Sequence, residues 1–382
     1  MELTSLRLAS FTDEAPASLS DLDSPQTLLV LFGPSSLLDH PEVVRRVLSA
    51  CPNSAAIGCS TAGEIHGSEI TDDTLVIAAL RFDHTVLNTA HAAVRTPADS
   101  YEAGASLATQ LRQPSLKALF VLSDGLNVNG SDLVKGLNDV LKGEAIITGG
   151  LAGDGPHFKR TWVIKDRSPQ SGYVTAVGFY GERVCIGHGS KGGWDKFGPE
   201  RLVTKSIGNV LYEVDGRPAL QLYKEYLGER AAGLPATGLL FPLSLRATNA
   251  DEKSLVRTIL AVDEATQSMT FAGDIPQGSL AQLMRANFDR LIHGASEAAS
   301  LTVNGHAGDQ RPNPTLSIAI SCVGRRLVLG ERTEEETEAT LELLPKQSAQ
   351  VGFYSYGEIS PYVSGVCDLH NQTMTLTTIT EV

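Results

Sequence analysis

The sequence predicts a mixed α/β protein, with parallel and antiparallel sheets forming two layered lobes covered by helices. Three observations carry this reading. Continuous apolar runs such as Thr27–Phe32 (TLLVLF) and Ala118–Leu122 (ALFVL) have the pattern of strands buried on both faces. Each run is followed by an amphipathic helical stripe, as in a strand–helix–strand unit. Elsewhere short apolar stretches are separated by turn residues, which suits antiparallel hairpins. With 382 residues the chain exceeds one ordinary core, and two halves are expected. A composition of 42% hydrophobic and 20% charged residues supports packed cores and excludes a disordered chain.

Thr27–Phe32 is read as a buried strand, and Asp39 with Glu42 as a capping box for a helix whose Val43, Val44, Val47 and Leu48 form one apolar stripe. A short strand, Ala55–Ile57, leads into GCSTAGEI, Gly58–Ile65. Leu75–Phe82 and Val86–Val94, separated by three residues, read as a hairpin. A second unit repeats the order: a helix over Asp99–Arg112, the strand Ala118–Leu122, a Ser131-capped helix, and the strand Ala145–Thr148 entering GGLAGD, Gly149–Asp154. Thr161–Ile164, Tyr173–Phe179 and Val184–Gly187 read as an antiparallel meander. The glycine-rich stretch His188–Glu200 breaks every periodicity and marks the boundary between halves.

Beyond it, short strands at Leu202–Lys205 and Leu211–Val214 precede a helix from about Gly216 to Gly228. Ser254–Ala261 and Ser268–Phe271 read as a hairpin, followed by a helix through Leu280, Leu283, Met284, Phe288, Leu291 and Ile292. Asn304–Pro314 is a polar loop, and Leu316–Ser321 a strand. Thr333 with Glu336 caps a helix ending near Leu344, and strands at Gln350–Tyr354 and Thr373–Ile379 follow.

Several classes are excluded. The 31 basic and 44 acidic residues give a net charge of −13, and no stretch concentrates Lys and Arg as phosphate-backbone binding requires, so no nucleic-acid partner is expected. The longest apolar run, Leu75–Leu80, falls far short of the roughly 20 residues that span a bilayer, so no membrane insertion is expected. The first 20 residues lack the basic end and apolar core of a secretory signal, which makes the cytoplasm the expected compartment. Five scattered cysteines without a C-x-x-C pair suit reduced thiols. The nine histidines show neither H-E-x-x-H nor H-x-x-x-H, so no metal is expected.

One internal similarity carries chemistry. Gly58–Ile65 (GCSTAGEI) and Gly352–Ile359 (GFYSYGEI) share the frame G-x-x-x-x-G-E-I, and Thr148–Asp154 (TGGLAGD) keeps a looser version with its Gly-acid pair. Small residues let backbone N–H groups approach a ligand while the carboxylate anchors a polar group. The same glycines also suit tight strand-to-strand turns capped by the acid. Cys59 sits where a nucleophile could project, but no His or Asn is assignable as its base, and G-x-S-x-G is not met around Ser60. His370, beside Asn371 and Gln372, is a candidate ligand contact or haem axial ligand. Arg325–Arg326 suits an ion pair or an anion site, and Glu334–Glu336 suits the first turn of a helix.

GCSTAGEI, GGLAGDG, IGNVLYEVDGRPALQLYKEYLG, SCVGRRLVLGERTEEE, VGFYSYGEISP and LHNQTMTLT, in that order, resemble the FIST family over about Thr27–Ile379. The resemblance implies a FIST N-like sensory domain over 27–190 and a FIST C-like domain over 201–379. It implies a non-enzymatic sensor of a small molecule such as an amino acid. With no fused output domain in the sequence, the expected partner is a separate protein such as a histidine kinase or a cyclic-di-nucleotide enzyme. A subgroup of similar stand-alone proteins binds haem and senses nitric oxide, although no haem-specific motif is present.

The expected ligand site therefore comprises Cys59, Ser60, Thr61, Glu64, Gly149, Gly150, Asp154, Tyr356, Glu358, His370 and Asn371. Glu64, Asp154 and Glu358 would orient polar groups, Ser60, Thr61 and Tyr356 would add hydrogen bonds, and His370 with Asn371 would line the wall. No cofactor is required by this reading. The alternatives are a haem-based gas sensor, with His370, or else His66 or His188, as axial ligand beside Phe353, Tyr354 and Tyr356, and a Cys59-dependent hydrolase or transferase.

Overall fold

Each apolar run occupies the centre of a six-stranded sheet. The computed structural model describes residues 1–13, 16–247, 254–304, 314–361 and 366–382. The first sheet runs in the order Glu2–Leu8, Leu75–Arg81, Thr27–Gly33, Ala55–Ser60, Val163–Lys165, Ser168–Gln170. The second runs Val86–Ala93, Tyr173–Tyr180, Leu116–Ser123, Ile146–Leu151, Gly357–Pro361, Cys367–His370. The third runs Val184–Lys191, Met374–Glu381, Thr315–Cys322, Ser348–Ser355, Glu64–His66, Glu69–Thr71.

The three sheets follow one plan. A parallel pair joined through helix lies at the centre, an antiparallel strand and an edge strand flank it on one side, and a hairpin from elsewhere in the chain flanks it on the other. The register repeats as well: Leu31 faces Gly58, Val121 faces Gly149, and Ala319 faces Gly352. Each repeat lends its hairpin to another repeat's sheet, so the three interlock in a ring, and strands from both halves of the chain share the second and third sheets.

Alternation explains why the central strands are apolar throughout. Leu28, Val30 and Phe32, Ala118, Phe120 and Leu122, and Leu316, Ile318 and Ile320 point into one core common to all three sheets, where the Phe32 and Phe353 rings lie 4.7 Å apart. Leu29 and Leu31 point the other way, onto Val43, Val44, Val47 and Leu48 of the helix Pro41–Ser49. Leu119 and Val121 likewise meet Leu107, Leu133 and Leu137 of the helices Ser100–Leu111 and Gly130–Leu141. A side chain of this size, fully buried, contributes roughly 1.5–3 kcal/mol, so each central strand is anchored from both sides.

A nine-stranded antiparallel sheet is inserted into the third repeat, from Asp195–Lys196 to Leu280–Arg285. The chain then returns through the helix Phe288–Asn304, which lies so close to Val184–Lys191 that a Cβ on Gly189 would sit 2.0 Å from the Ala298 carbonyl oxygen. Only glycine permits that approach.

The mixed α/β class agrees with the sequence, and several local expectations do not. Leu75–Arg81 and Val86–Ala93 form no hairpin, because one pairs within the first sheet and the other with Tyr173–Tyr180 in the second. The expected meander is likewise distributed over three sheets. Leu280–Arg285 is a strand, and the helix expected there begins at Phe288: Ala281 and Leu283 turn alternately onto the inserted sheet's core, a period of two that overlaps helical spacing in so short a run. The Asp39, Ser131 and Thr333 caps are not used. Asn129 caps its helix by accepting from the Ser131 and Asp132 N–H groups, and Glu336 is drawn into an ion pair instead of a capping box. Most of the Asn304–Pro314 loop lies outside the described residues.

Candidate functional site

The three glycine motifs occupy equivalent places, where the chain leaves one sheet for the next, and they meet. The Ala62 N–H donates to the Tyr354 carbonyl (2.8 Å), Gly153 N–H to Ser60 (3.0 Å) and Tyr356 N–H to Leu151 (3.2 Å). With Gly58, Gly149 and Gly352 in register, these are the same bond made three times around a ring. A Cβ on Gly149, whose φ is +145°, would lie 1.8 Å from the Val121 carbonyl oxygen.

The carboxylates follow the same symmetry. Glu64 accepts from the Thr61 hydroxyl and from the Thr74 N–H and hydroxyl (both 3.2 Å). Glu358 accepts from the Ser355 hydroxyl (2.7 Å) and from the Thr373 N–H (3.2 Å) and hydroxyl (2.9 Å). Each clamps its turn to the residue just before the next long strand, behind Asp73 and Gln372, which share a left-handed φ of 62° and 63°. Burial pushes Glu64 up to about 7 and Glu358 up to about 8. Asp154 is one position out of step. It accepts from the N–H groups of Phe158, Lys159 and Arg160 and from the Tyr356 hydroxyl, while Asp124 supplies the equivalent clamp through the Gly172 N–H (3.0 Å).

The expected site residues therefore divide. Thr61, Glu64 and Asp154 line a groove of about 350 Å³ with Arg326, whose guanidinium forks onto Asp72 at 2.7 Å. Cys59, Ser60, Gly149, Gly150 and Glu358 lie inside the scaffold, Ser60 accepting from the Trp162 N–H (3.0 Å), while Tyr356 reaches the Asp154 carboxylate. His370 and Asn371 stand apart from these, in a second and larger cleft.

That cleft has a volume of about 750 Å³, in the range of small-ligand sites. Its floor is Ile186–Lys191 of the third sheet, one wall is Pro361, His370, Asn371 and Thr373, and the opposite wall comes from the inserted sheet through Ser254, Leu255, Val256 and Met284. Trp194 closes one end, its indole N–H donating to the Gln372 carbonyl (2.9 Å). His370 Nε2 lies 3.1 Å from the Ser360 carbonyl. Asn371 is fully buried. Its Nδ2 faces the Tyr356 carbonyl at 3.5 Å, and its Oδ1 has no hydrogen-bond partner. Burial lowers the pKa of His188 and favours its neutral form. Arg325 ties the edge of this region together, pairing with buried Glu336 (2.7 Å) and donating to the carbonyls of Gly192 and Leu291.

Lys191, Trp194, Ser254 and Met284 carried no sequence motif. The glycine run His188–Gly193 offers a signal for Lys191 and Trp194, because glycines that break a pattern also mark close backbone approach, and nothing local marks Ser254 or Met284.

The catalytic and haem alternatives find little here. Cys59 is fully buried, and burial pushes its thiol well above the ordinary range, the opposite of an activated nucleophile. Phe353, Tyr354 and Tyr356, expected to wall a haem, face the protein interior and do not line the His370 cleft, so these residues do not fit a haem there. His66 sits on a short strand of the third sheet, its Nε2 3.3 Å from the Ser5 hydroxyl. Among the described residues no group of three or more His, Cys, Asp or Glu side chains could hold a metal, and no helix is long and apolar enough to cross a membrane.

Interlocked mixed sheets around a common core, with an open cleft between the third sheet and the inserted one, define a mixed α/β protein. The FIST N domain profile matches residues 27–217 and the FIST C domain profile residues 219–361, so the chain belongs to the FIST family, whose domains are sensory ligand-binding domains of signal transduction. A comparison with curated proteins found no significant match. Among solved structures, a crystal structure of a chorismatase is similar over 100% of this chain and 98% of that one, at 10% identity and a TM-score of 0.36.

Proposed function

We propose that this chain is a stand-alone cytoplasmic sensor that binds a small ligand in the cleft between His188, His370, Asn371 and the inserted sheet, and signals to a separate partner such as a histidine kinase or a cyclic-di-nucleotide enzyme. The observation that carries this reading is the cleft, because it is about 750 Å³, has an unsatisfied buried acceptor in its wall, and lies between two bodies of the fold. A ligand touching both walls stabilises the arrangement in which they are close, and so changes a surface that a partner can read. The turns at Cys59–Glu64, Gly149–Asp154 and Tyr356–Glu358 act as the scaffold that sets the walls, since their carboxylates are already occupied by protein donors.

A thermal-shift screen of amino acids and other small polar molecules tests this. A ligand at 100 times its dissociation constant stabilises by about 2.7 kcal/mol, a rise of several degrees. The expected result is a hit that raises Tm in the wild type and not in Asn371→Leu. A panel without hits, or a hit indifferent to that substitution, refutes the cleft reading. The same protein titrated with haem should show no Soret band. A band that His370→Ala abolishes would replace this reading with the nitric-oxide sensor.

A further inference from the structure

Glu358 is completely buried beneath Thr373 of the cleft wall, and a line of hydroxyl groups joins it to the cleft floor. Glu358 Oε2 accepts from the Thr373 hydroxyl (2.9 Å), Thr373 Oγ1 lies 3.2 Å from Thr375 Oγ1, and Thr375 Oγ1 lies 2.8 Å from Ser190 Oγ. Strand geometry sets this line. Thr373 and Thr375 are two residues apart and so share a face, and Ser190 is the cross-strand partner of Thr375. Thr375 is fully buried, whereas Ser190 is half-buried and lines the cleft.

A hydroxyl has one proton to donate, so the direction of one bond in such a line fixes the next. Ionised Glu358 accepts on both oxygens, from Ser355 (2.7 Å) and from Thr373. Thr373 then accepts from Thr375, and Thr375 from Ser190, which leaves Ser190 turned inward with only lone pairs for the cleft. A proton on Glu358 Oε2 is donated to Thr373 instead, every bond in the line reverses, and Ser190 offers its O–H to the cleft. Bonds aligned head to tail polarise and strengthen one another, so the two ends sense each other.

Other groups act on Glu358 from outside the line. Burial raises its pKa, and its hydrogen bonds and the Arg325 guanidinium lower it in part. Burial and then the charge of Glu358 push the Cys322 thiol up to about 12. In the strand register His370 sits opposite Glu358 on one side and Gly150, which brings no charge, on the other. Val184–Lys191, packed against Gly357–Pro361, contributes His188 and Lys191.

We propose that Ser190 is a ligand-contact residue and the outer end of a hydroxyl relay to Glu358, so that a group bound at Ser190 and the proton on Glu358 control one another. This rests on the cleft being the ligand site. A ligand oxygen that accepts from Ser190 draws the line outward and binds together with a solvent proton taken up by Glu358. A ligand N–H or O–H that donates to Ser190 favours the ionised carboxylate and releases that proton to solvent. With Glu358 raised to about 8, both states are within reach near neutral pH, and the response of the sensor depends on pH.

The relay is measurable without a ligand. At pH 6 ordinary carboxyls are ionised, while Glu358 and Glu64, raised to about 8 and about 7, keep protons and contribute carboxylic C=O infrared bands, assigned through Glu358→Gln and Glu64→Gln. Both bands are titrated from pH 6 to 10 in the wild type, Ser190→Ala, Thr375→Val and the double variant. Each single substitution removes donors that favour ionised Glu358, so its midpoint is expected to rise by about half a pH unit. The double variant should match Thr375→Val, because the line is already cut, and Thr375→Ser, which keeps the hydroxyl, should match the wild type. Glu64 lies on a separate line through Thr74 and Thr71 (2.7 Å apart), and its unmoved midpoint shows that the fold is intact. A Glu358 midpoint unchanged in Ser190→Ala, effects that add in the double variant, or no Glu358 band at pH 6 overturns the relay. If Thr375→Val does not fold, Ser190→Ala with Glu64 as its reference decides alone. Failure of this titration leaves the cleft reading standing, since that reading is refuted by the thermal-shift screen and not by the state of Glu358.

Discussion

Two clefts of this protein occupy equivalent places in the ring, and only one is roomy. In both, the start of the second parallel strand, the edge strand of the next repeat and a borrowed hairpin come together. In one these are Ile146, Ile186–Lys191, Pro361 and His370, and in the other Ala55–Ala56, Thr89–His91 and Ile164–Arg167. The first has about 750 Å³ and the second about 260 Å³. The second is spanned by its own side chains: Arg167 donates to the carbonyls of Ser54, Leu48 and Cys51, and Lys165 pairs with Asp166. The first is bounded instead by the inserted sheet and by a strand in which Gly187 and Gly189 alternate with Ile186, His188 and Ser190, so only part of its length carries side chains. The scaffold thus offers the same hollow more than once, and side-chain content with the added wall decides which one stays open to a ligand.

The comparison can be broken first at Arg325. Arg325→Met leaves Glu336 charged and buried without its partner and frees the Gly192 carbonyl at the edge of the large cleft, so a loss of about 3–5 kcal/mol is expected in chemical denaturation. Arg167→Ala acts in the small cleft, where only hydrogen bonds to carbonyls are lost. It should cost less, about 1–3 kcal/mol, and leave the ligand-induced Tm rise intact. If Arg167→Ala were the more damaging, the small cleft would be the more important joint.

The two glutamate clamps sharpen the comparison through pH. The folded pKa of Glu358 is raised to about 8, and that of Glu64 to about 7, above an ordinary value near 4.5. Between the unfolded and folded values the native state holds the extra proton, so the stability contributed by each clamp is fully present below about pH 4.5 and is lost as pH rises through 7 to 8. Glu358→Gln, which cannot ionise, should flatten that decline, and Glu64→Gln should do so to a lesser extent. Urea midpoints measured from pH 5 to 9 check this, and an unchanged slope in both variants would show that the carboxylates ionise freely. The smallest effect is expected at Cys59→Ser: about 1–2 kcal/mol of stability from placing a hydroxyl in an apolar core, with ligand-induced Tm shifts unaltered.

Much of this was legible because certain signals are local. The double-sided apolar runs announced the central strands, and the shared G-x-x-x-x-G-E-I frame marked two of the three ring joints, since Gly58 and Gly352 face equivalent carbonyls. The third version misled at its acid. Asp154 keeps the Gly-acid pair but folds over its own loop, and its structural counterpart, Asp124, lies 30 residues earlier and shares no frame. Strand partnership was not legible at all. Leu75–Arg81 and Val86–Ala93 are separated by a hairpin-length connection, yet they belong to different sheets because each repeat pairs beyond itself. The large cleft was half visible, through His370 and Asn371, while its other wall comes from Ser254–Val256 and Met284, brought there by the inserted sheet.

The central claim is that ligand binds in the large cleft and not in its smaller equivalent. Hydrogen–deuterium exchange of the wild-type chain, with and without a saturating hit from the thermal-shift screen, tests it most directly. The account predicts added protection of the peptides covering 186–194 and 367–373, with no change over 89–91 and 164–167. Protection confined to the second pair of segments, or spread evenly over both, would contradict it.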